Sequence, residues 1–212
     1  MEFEVFKNRI SKLKKMQLPG EAAHKKLAPL LRIKELEELD ISTRKPEKAG
    51  VMAVFYPDIN NETRLVLILR KTYKGVHSNQ VGFPGGRVEH TDKDLQDTAL
   101  RETEEEVGIP QNEIEVIREL TRLYIPPSNF WVQPYLGLLH TTPNMIAQES
   151  EVEEILEIKL SEFLDDENII TENLSTSYAR EIEVPAYRLN GHVVWGATGM
   201  MLSEIRELLL KI

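Results

Sequence analysis

The sequence predicts an α/β fold in which a mixed β-sheet lies between helices. Two apolar segments in the first half of the chain, residues 51–56 and 64–70, have the length and composition of buried strands. An acidic amphipathic segment that ends at Gly108 follows them, and further strand-like segments separate it from a C-terminal helix. This order of elements in 212 residues fits an α/β domain with a sizeable core.

The chain begins with two predicted helices. Between residues 2 and 16, four apolar residues recur at helical spacing: Phe3, Phe6, Ile10 and Leu13. Pro19-Gly20 interrupts this pattern, and a second helix is predicted over residues 21–31. Each helix is therefore expected to pack one face against the rest of the protein.

A polar segment separates these helices from the strands. It covers residues 43–48, contains Pro46 and is interpreted as a linker. On this basis we assign residues 1–45 to an N-terminal helical extension and residues 46–212 to the main domain. The first two strands of that domain are joined through Asn60-Asn61, a pair suited to the left-handed backbone of a tight turn.

The segment RETEEEVGI, residues 101–109, carries most of the chemical information. In a helix, Glu102, Glu105 and Glu106 fall on one face, where each pair of like charges costs about 0.2–0.5 kcal/mol. A hard cation such as Mg²⁺ turns this repulsion into coordination because it prefers oxygen ligands. A solvated acidic face is the other interpretation. Gly85 and Gly86 precede the helix and favour coordination of a cation, because backbone without side chains approaches a ligand closely.

This stretch resembles the Nudix box, G-x5-E-x7-R-E-U-x-E-E-x-G-U, in which U is apolar. Asp92 takes the place of the first glutamate, and one extra residue precedes Arg101. The match is closer to the variant of the coenzyme A pyrophosphatase branch, F-P-G-G-x-x-D-x-x-D-x5-T-A-L-R-E-x-x-E-E-x-G. Residues 83–86 (FPGG) and 98–102 (TALRE) fall on that variant without a gap.

The resemblance implies a Nudix-type α/β/α sandwich that hydrolyses a pyrophosphate bond with the help of Mg²⁺ or Mn²⁺. The implied metal ligands are Glu102, Glu105, Glu106 and the carbonyl of Gly85. The implied catalytic residues are Glu105, Glu102 and Arg101, and Arg101 is expected to orient Glu105 and to pair with Asp92. A further glutamate is expected to act as general base, and the candidates are Glu151 and Glu154.

The same branch implies that the substrate is coenzyme A or an acyl derivative, cleaved to 3′,5′-ADP and 4′-phosphopantetheine. The implied substrate-binding residues are Arg70, His77, Gln80, Ser128 and Asn129, of which the last two equally suit a simple turn. Two positions depart from the branch, since Gly75 replaces an arginine and Asn79 replaces a glycine. ADP-ribose, NADH or another nucleoside diphosphate derivative is therefore the alternative substrate. A non-catalytic Nudix-like binding module is a third interpretation, which the intact glutamates oppose.

Several strands are predicted after the acidic helix. The first two cover residues 113–123 and 130–139. The third follows an acidic loop within residues 149–160. Pro134 lies inside the second of these strands and indicates an edge strand or a bulge. A hairpin is predicted over residues 183–195, with its turn at Asn190-Gly191.

Two helix starts are predicted from hydroxyl residues. Ser161 is expected to cap a short helix, and Thr198 to cap the C-terminal helix, which reaches about residue 210. Trp195 precedes that helix and is interpreted as a core residue or as part of a homodimer contact.

Composition excludes several classes of protein. The net charge of −9 argues against non-specific binding to nucleic acid or to an anionic membrane. The absence of cysteine excludes disulfides, thiolate metal sites and a cysteine nucleophile. The sequence has no apolar run of membrane-spanning length, and its first residues lack the apolar core of a signal peptide. These features predict a cytoplasmic protein, and the resemblance implies that its ligand is a small nucleotide.

Overall fold

A mixed β-sheet forms the centre of the computed structural model, which describes residues 1–72, 79–174 and 182–212. Its strands are β1 (Glu47–Pro57), β2 (Thr63–Arg70), β3 (Val81–Gly82), β4 (Gly85–Arg87), β5 (Glu115–Glu119), β6 (Leu123–Ile125), β7 (Phe130–Leu138) and β8 (Val152–Lys159). The main path runs β3-β2-β1-β7-β5, with β4 beside β1, β6 beside β7 and β8 beside β2. β1 and β7 are parallel, whereas β1 pairs antiparallel with β2 and β4.

A second, smaller antiparallel sheet has the order β11-β10-β9. Its strands are β9 (Ile169–Leu174), β10 (Ile182–Leu189) and β11 (His192–Trp195). The helices are α1 (Phe3–Ile10), α2 (Glu21–Lys26), α3 (Leu30–Glu38), α4 (Leu95–Val107), α5 (Leu160–Leu164) and α6 (Gly196–Leu209). The hairpin predicted at Asn190-Gly191 is confirmed, and both of its turn residues have positive φ.

The main sheet is covered on both faces, so the predicted α/β/α sandwich is confirmed. On one face, Val54 and Tyr56 of β1 share a core with Val107 of α4, and we call this side the α4 face. On the other face, Phe55 of β1 shares a larger core with α6 residues such as Ile205, and we call this side the α6 face. Alternation along β1 therefore sends successive side chains into different cores.

Helix α4 lies unusually close to the sheet because β1 carries a glycine beneath it. A Cβ atom at Gly50 would overlap the backbone carbonyl of Leu95 in the first turn of α4. The side chain of Asp94 caps that turn by accepting a hydrogen bond from the Asp97 N–H at 2.8 Å. The helix ends at Gly108, as predicted, with φ of +74°.

The N-terminal segment packs into the core of the α6 face. Phe6 of α1 lies 5.0 Å from Phe55, measured between ring centroids. The second helix predicted over residues 21–31 is wrong, since α2 ends at Lys26 and α3 begins at Leu30. Pro29 separates them because proline disfavours helical backbone in the residue before it. No helix within the described ranges is both long and apolar enough to cross a membrane.

The region after α4 corrects two further expectations. The single strand predicted over residues 113–123 is wrong, because β5 and β6 are separate segments that both pair with β7. β7 also pairs with β1, so it is an interior strand and not an edge. Pro134 lies where β5 gives way to β6, and its carbonyl accepts a hydrogen bond from Leu120 N–H. Proline has no N–H to donate to a neighbouring strand. β7 tolerates it here because its pairing is already interrupted between β5 and β6.

Both predicted hydroxyl caps are wrong. Ser161 lies inside α5, whose cap position is Lys159, and Thr198 lies inside α6, whose cap position is Trp195. The hydroxyl of Thr198 donates instead to the carbonyl of Val81 at 2.9 Å and so joins α6 to β3. The backbone entering each helix, rather than residue preference, decides where the helix begins.

Candidate active site

The candidate site lies where α4 faces the short strand β4. Gly86 of β4 pairs with Gly50 of β1, and this register turns Gly86 toward α4. A Cβ atom at Gly86 would fall on the carboxylate of Glu102. The second glycine of FPGG therefore makes room for a carboxylate in this structure.

Arg101 connects the acidic side chains of the site. Its Nε lies 2.9 Å from Asp92 Oδ1, and one terminal nitrogen donates to Glu102 Oε1 and to Glu105 Oε2, both at 3.0 Å. The other terminal nitrogen donates to the carbonyl of Arg87 at 3.2 Å. The predicted contacts of Arg101 with Glu105 and with Asp92 are confirmed. The bond from Arg101 holds the pKa of Asp92 well below its usual range, so Asp92 anchors the arginine as a permanent anion.

The three box glutamates have different environments, although they share one stretch of helix. The side chain of Glu105 is 53% exposed and that of Glu102 is 14% exposed, whereas Glu106 is 1% exposed. Glu106 turns toward the sheet, where its Oε2 accepts a hydrogen bond from Gly85 N–H at 2.8 Å. Its Oε1 lies 3.4 Å from a guanidinium nitrogen of Arg70 on β2.

Burial changes the acidity of two of these groups. It raises the pKa of Glu106 to about 7, although Arg70 and the Gly85 N–H oppose this effect. Burial also raises the pKa of Glu102, and Arg101 offsets part of the increase. The negative charge of Glu151 adds to the increase at both carboxyl groups. Burial thus disfavours the charged form of both groups, and an additional positive charge nearby would stabilise that form.

The donor set suits a divalent cation that prefers oxygen ligands. Glu106 Oε1 is buried and has no hydrogen-bond partner within the described part of the chain. The Glu102 carboxylate lies in the space that the missing side chain of Gly86 leaves. Across residues 1–72, 79–174 and 182–212, no three His, Cys, Asp or Glu side chains are already gathered to hold a metal ion. Glu102 and Glu105 would have to turn away from Arg101 to coordinate an ion together with Glu106.

The two candidate bases lie in different places. The charge of Glu151 acts on both Glu102 and Glu106, and its backbone carbonyl accepts a hydrogen bond from Lys71 N–H at 2.8 Å. Glu154 lies on β8 opposite Leu69, whose side chain belongs to the α6 face, and it pairs with His192 at 3.4 Å. The sheet thus separates Glu154 from the box, which leaves Glu151 as the favoured candidate for the general base.

The predicted substrate-binding residues are only partly brought together. Arg70 lies against Glu106, and its N–H donates to the carbonyl of Gln80 at 3.0 Å. His77 and Gly75 lie outside the described residues.

Asn129 has φ of +55°, and its side chain bonds the hydroxyl of Tyr124 and the carbonyl of Lys45. The oxygen and the nitrogen of its side-chain amide therefore stabilise a turn, while Ser128 Oγ is buried without a hydrogen bond among the described residues. Substrate contact by these residues stays a prediction.

Sequence reasoning missed the contact between Arg70 and Glu106. Alternation along β2 places Arg70 on the same side as Val66 and Ile68, which belong to the core of the α4 face. That pattern could have assigned Arg70 to the box side of the sheet. It could not have identified Glu106 as the facing residue, because this depends on how α4 packs across the strands.

The chain is similar in sequence and in fold to known proteins. The model of the NUDIX domain matches residues 48–174. An uncharacterized Nudix hydrolase, NudL, from Photorhabdus laumondii is 32% identical over 143 residues, which cover 68% of this chain and 75% of that protein. The peroxisomal coenzyme A diphosphatase ndx-8 of Caenorhabditis elegans is 28% identical over 138 residues, or 65% of this chain and 59% of that protein. The crystal structure of the Nudix hydrolase RenU from M. smegmatis superposes with a TM-score of 0.53 at 10% identity, covering 79% of this chain and 88% of that one, and supports the fold alone.

Proposed function

Because this chain belongs to the Nudix hydrolase family, which cleaves pyrophosphate bonds in nucleoside diphosphate derivatives with divalent metal ions, we propose that it acts on coenzyme A or acyl-coenzyme A. The proposed products are 3′,5′-ADP and 4′-phosphopantetheine or its acyl form. The observation that carries this proposal is the run from Phe83 to Glu102, which follows the coenzyme A variant of the box without a gap and departs from it in having Glu89 in place of the first aspartate. The similarity to a relative named as a coenzyme A diphosphatase supports it.

One of the two departures from the coenzyme A branch leaves the backbone unchanged. Asn79 stands where the branch has glycine, and its φ of +56° lies in the left-handed region that glycine favours. Asparagine is among the few other residues that adopt this conformation readily. The replacement therefore preserves the turn before β3 and leaves Gly75 as the departure that bears on substrate choice.

The residues of the site have distinct proposed roles. Glu102, Glu105, Glu106 and the carbonyl of Gly85 would hold the Mg²⁺ or Mn²⁺ ion. When bound, the ion neutralises pyrophosphate oxygens and lowers the pKa of a coordinated water. Arg101, fixed by Asp92, holds Glu102 and Glu105 beside the site before the ion binds, and both carboxylates would turn from it to coordinate the ion. Glu151 is proposed to accept the proton of the attacking water, since its charge already acts on the box carboxyl groups.

Product analysis tests this proposal. The protein is incubated with Mg²⁺ or Mn²⁺ and with coenzyme A, ADP-ribose, NADH or a diadenosine polyphosphate in separate samples, and the products are identified by mass. We expect 3′,5′-ADP from coenzyme A at the highest rate. Faster cleavage of another compound would overturn the choice of substrate, and no cleavage of any compound would favour a binding module.

A pair of variants on α4 links the activity to the site. Glu105→Gln should abolish turnover without unfolding the protein, because it removes a carboxylate implied as a metal ligand. Glu104→Gln is the matched control, since Glu104 is on the same helix but bonds to Gln111 at 2.7 Å rather than to Arg101. Full activity of Glu105→Gln, or equal loss in both variants, would contradict the assignment of the site.

A further inference from the structure

Arg70 occupies a fixed position beside the candidate site. Its backbone N–H bonds to Gln80, and the residue pairs with Val152 in the ladder between β2 and β8. The guanidinium group extends toward α4, where one nitrogen lies 3.4 Å from Glu106 Oε1. The side chain of Arg70 is 26% exposed, so the charge lies at the boundary between the buried carboxylate and solvent.

The contact between these two groups is electrostatic rather than a directed bond. Glu106 Oε2 is already bonded to the backbone of Gly85, whereas Oε1 has no hydrogen-bond partner in the described residues. A bidentate arginine–carboxylate pair would satisfy both oxygens at about 2.8 Å. Arg70 therefore balances the charge of Glu106 without forming a hydrogen bond to Oε1. This oxygen stays available to a metal ion.

We propose that Arg70 is a positioning residue that serves as the counter-ion of Glu106 before a divalent cation binds and gives up that place when the cation arrives. This inference rests on the proposed function, because it takes Glu106 to be a ligand of the cation. The resemblance implies a different role for Arg70, which is contact with substrate. The two roles predict different effects of removing its charge.

Removing the charge of Arg70 should tighten binding of the cation. A positive guanidinium beside Oε1 repels an incoming divalent ion, and this repulsion is considerable at a few ångströms even with an effective dielectric constant near 20. Because Arg70 is partly exposed, we expect solvent screening to reduce the effect to about tenfold in Kd. The protein without metal should become less stable, since the charge of Arg70 no longer offsets the cost of burying the Glu106 carboxylate.

The test is a titration of Mn²⁺ alone, without nucleotide, followed by calorimetry or by water proton relaxation. The proteins are the parent, Arg70→Gln, Arg70→Lys and the control Arg64→Gln. Arg64 lies on the same strand, but it pairs with Asp58 at 2.6 Å rather than with a box residue. We expect about tenfold tighter Mn²⁺ binding for Arg70→Gln alone, with parent-like affinity in Arg70→Lys because the charge is kept. Melting temperatures without and with Mn²⁺ should show a larger metal-induced increase in Arg70→Gln.

Other results of the titration would contradict the proposed role of Arg70. Unchanged or weaker Mn²⁺ binding by Arg70→Gln would overturn the proposal, and a raised KM with unchanged Mn²⁺ affinity would assign Arg70 to the substrate instead. Either result would leave the proposed function standing. If the parent protein binds no Mn²⁺ but still cleaves coenzyme A with Mg²⁺, the proposed role of Arg70 is overturned and the proposed function stands. If it neither binds Mn²⁺ nor cleaves any pyrophosphate, both are overturned.

Discussion

Two glutamates among the described residues are almost completely buried, and their surroundings are opposite. Glu204 on α6 is 0% exposed, and both of its oxygens accept hydrogen bonds from Gly20 N–H, Thr121 N–H and Thr121 Oγ1, at 2.6–3.0 Å. His24 adds a ring nitrogen 3.5 Å away. Glu106 on α4 receives one hydrogen bond from Gly85 and leaves Oε1 without one within the described residues.

The pKa values of the two groups follow from this difference. Burial alone would raise the pKa of Glu204, but His24 and Thr121 outweigh it and the pKa is lowered. Burial raises the pKa of Glu106 to about 7 because its partners are fewer. A buried carboxylate with all its oxygens bonded stabilises the fold, and here it ties the N-terminal segment and the β5–β6 connection to α6. A buried carboxylate with a vacant oxygen is suited to a ligand.

The largest expected difference is in activity. Glu106→Gln should lower kcat by on the order of 10²–10³-fold, because the substitution removes a charge proposed to hold the metal ion. At about pH 4, where the Glu106 carboxyl group is neutral in the folded protein, the free energy of unfolding without metal should change by less than about 1 kcal/mol, since one neutral group replaces another. Steady-state kinetics and urea unfolding measure the two quantities. Retained activity would show that Glu106 does not bind the ion.

The reverse pattern is expected for the other glutamate. Glu204→Gln should lower the free energy of unfolding by about 4 kcal/mol, because an amide nitrogen replaces an acceptor that faces buried donors. The kcat per folded molecule should remain within about twofold of the parent, since α6 supplies no proposed ligand. Thermal and urea unfolding, with kinetics at low temperature, test this. A stable variant with lost activity would reverse the roles of the two residues.

The pH dependence of stability without metal should separate the two groups. Glu106 has a raised pKa, so its contribution is full below the unfolded value of about 4.3 and is lost as pH rises through about 7. The change in the free energy of unfolding should be at most about 4 kcal/mol. Glu204 has a lowered pKa, so its contribution is present above the unfolded value and is lost as pH falls through its folded value.

Urea unfolding between pH 3 and 8 provides the measurement. Glu106→Gln should flatten the profile between about pH 4.5 and 7, and Glu204→Gln should flatten only its acid end. Identical profiles for the two variants would show that the pKa values of the two carboxyl groups do not diverge.

The smallest expected effect comes from one partner of Glu204. Thr121→Val keeps the shape of the side chain but removes the hydroxyl that donates to Glu204 Oε1 at 2.6 Å. Loss of one hydrogen bond to a charged acceptor should cost about 1.5–3 kcal/mol, less than the Glu204→Gln change. The double variant Thr121→Val/Glu204→Gln should be less destabilised than the sum of the single variants. Additive effects would mean that Thr121 and Glu204 are not coupled.

Much of the site could be predicted from sequence because its first contacts are local. Arg101 and Glu105 are four residues apart on one helix, and Gly108 follows the last turn, so neighbours in sequence define both features. The choice between Glu151 and Glu154 was not local. It depends on the pairing of β8 with β2, where Leu69 pairs with Glu154 but Arg70 pairs with Val152. β8 therefore has one extra residue at this point, and alternation along β8 no longer indicates the face.

The sequence by itself determined the fold class, the acidic helix, the hairpin and the family, since each depends on periodicity, turn residues or a continuous motif. Only the tertiary structure decided which buried glutamate is fully bonded and which keeps a vacant oxygen. Glu204 meets Gly20 and Thr121, and Glu106 meets Arg70 and Gly85, from distant parts of the chain. Burial and pairing of a charge are set by packing between elements, and no pattern of neighbouring residues encodes them.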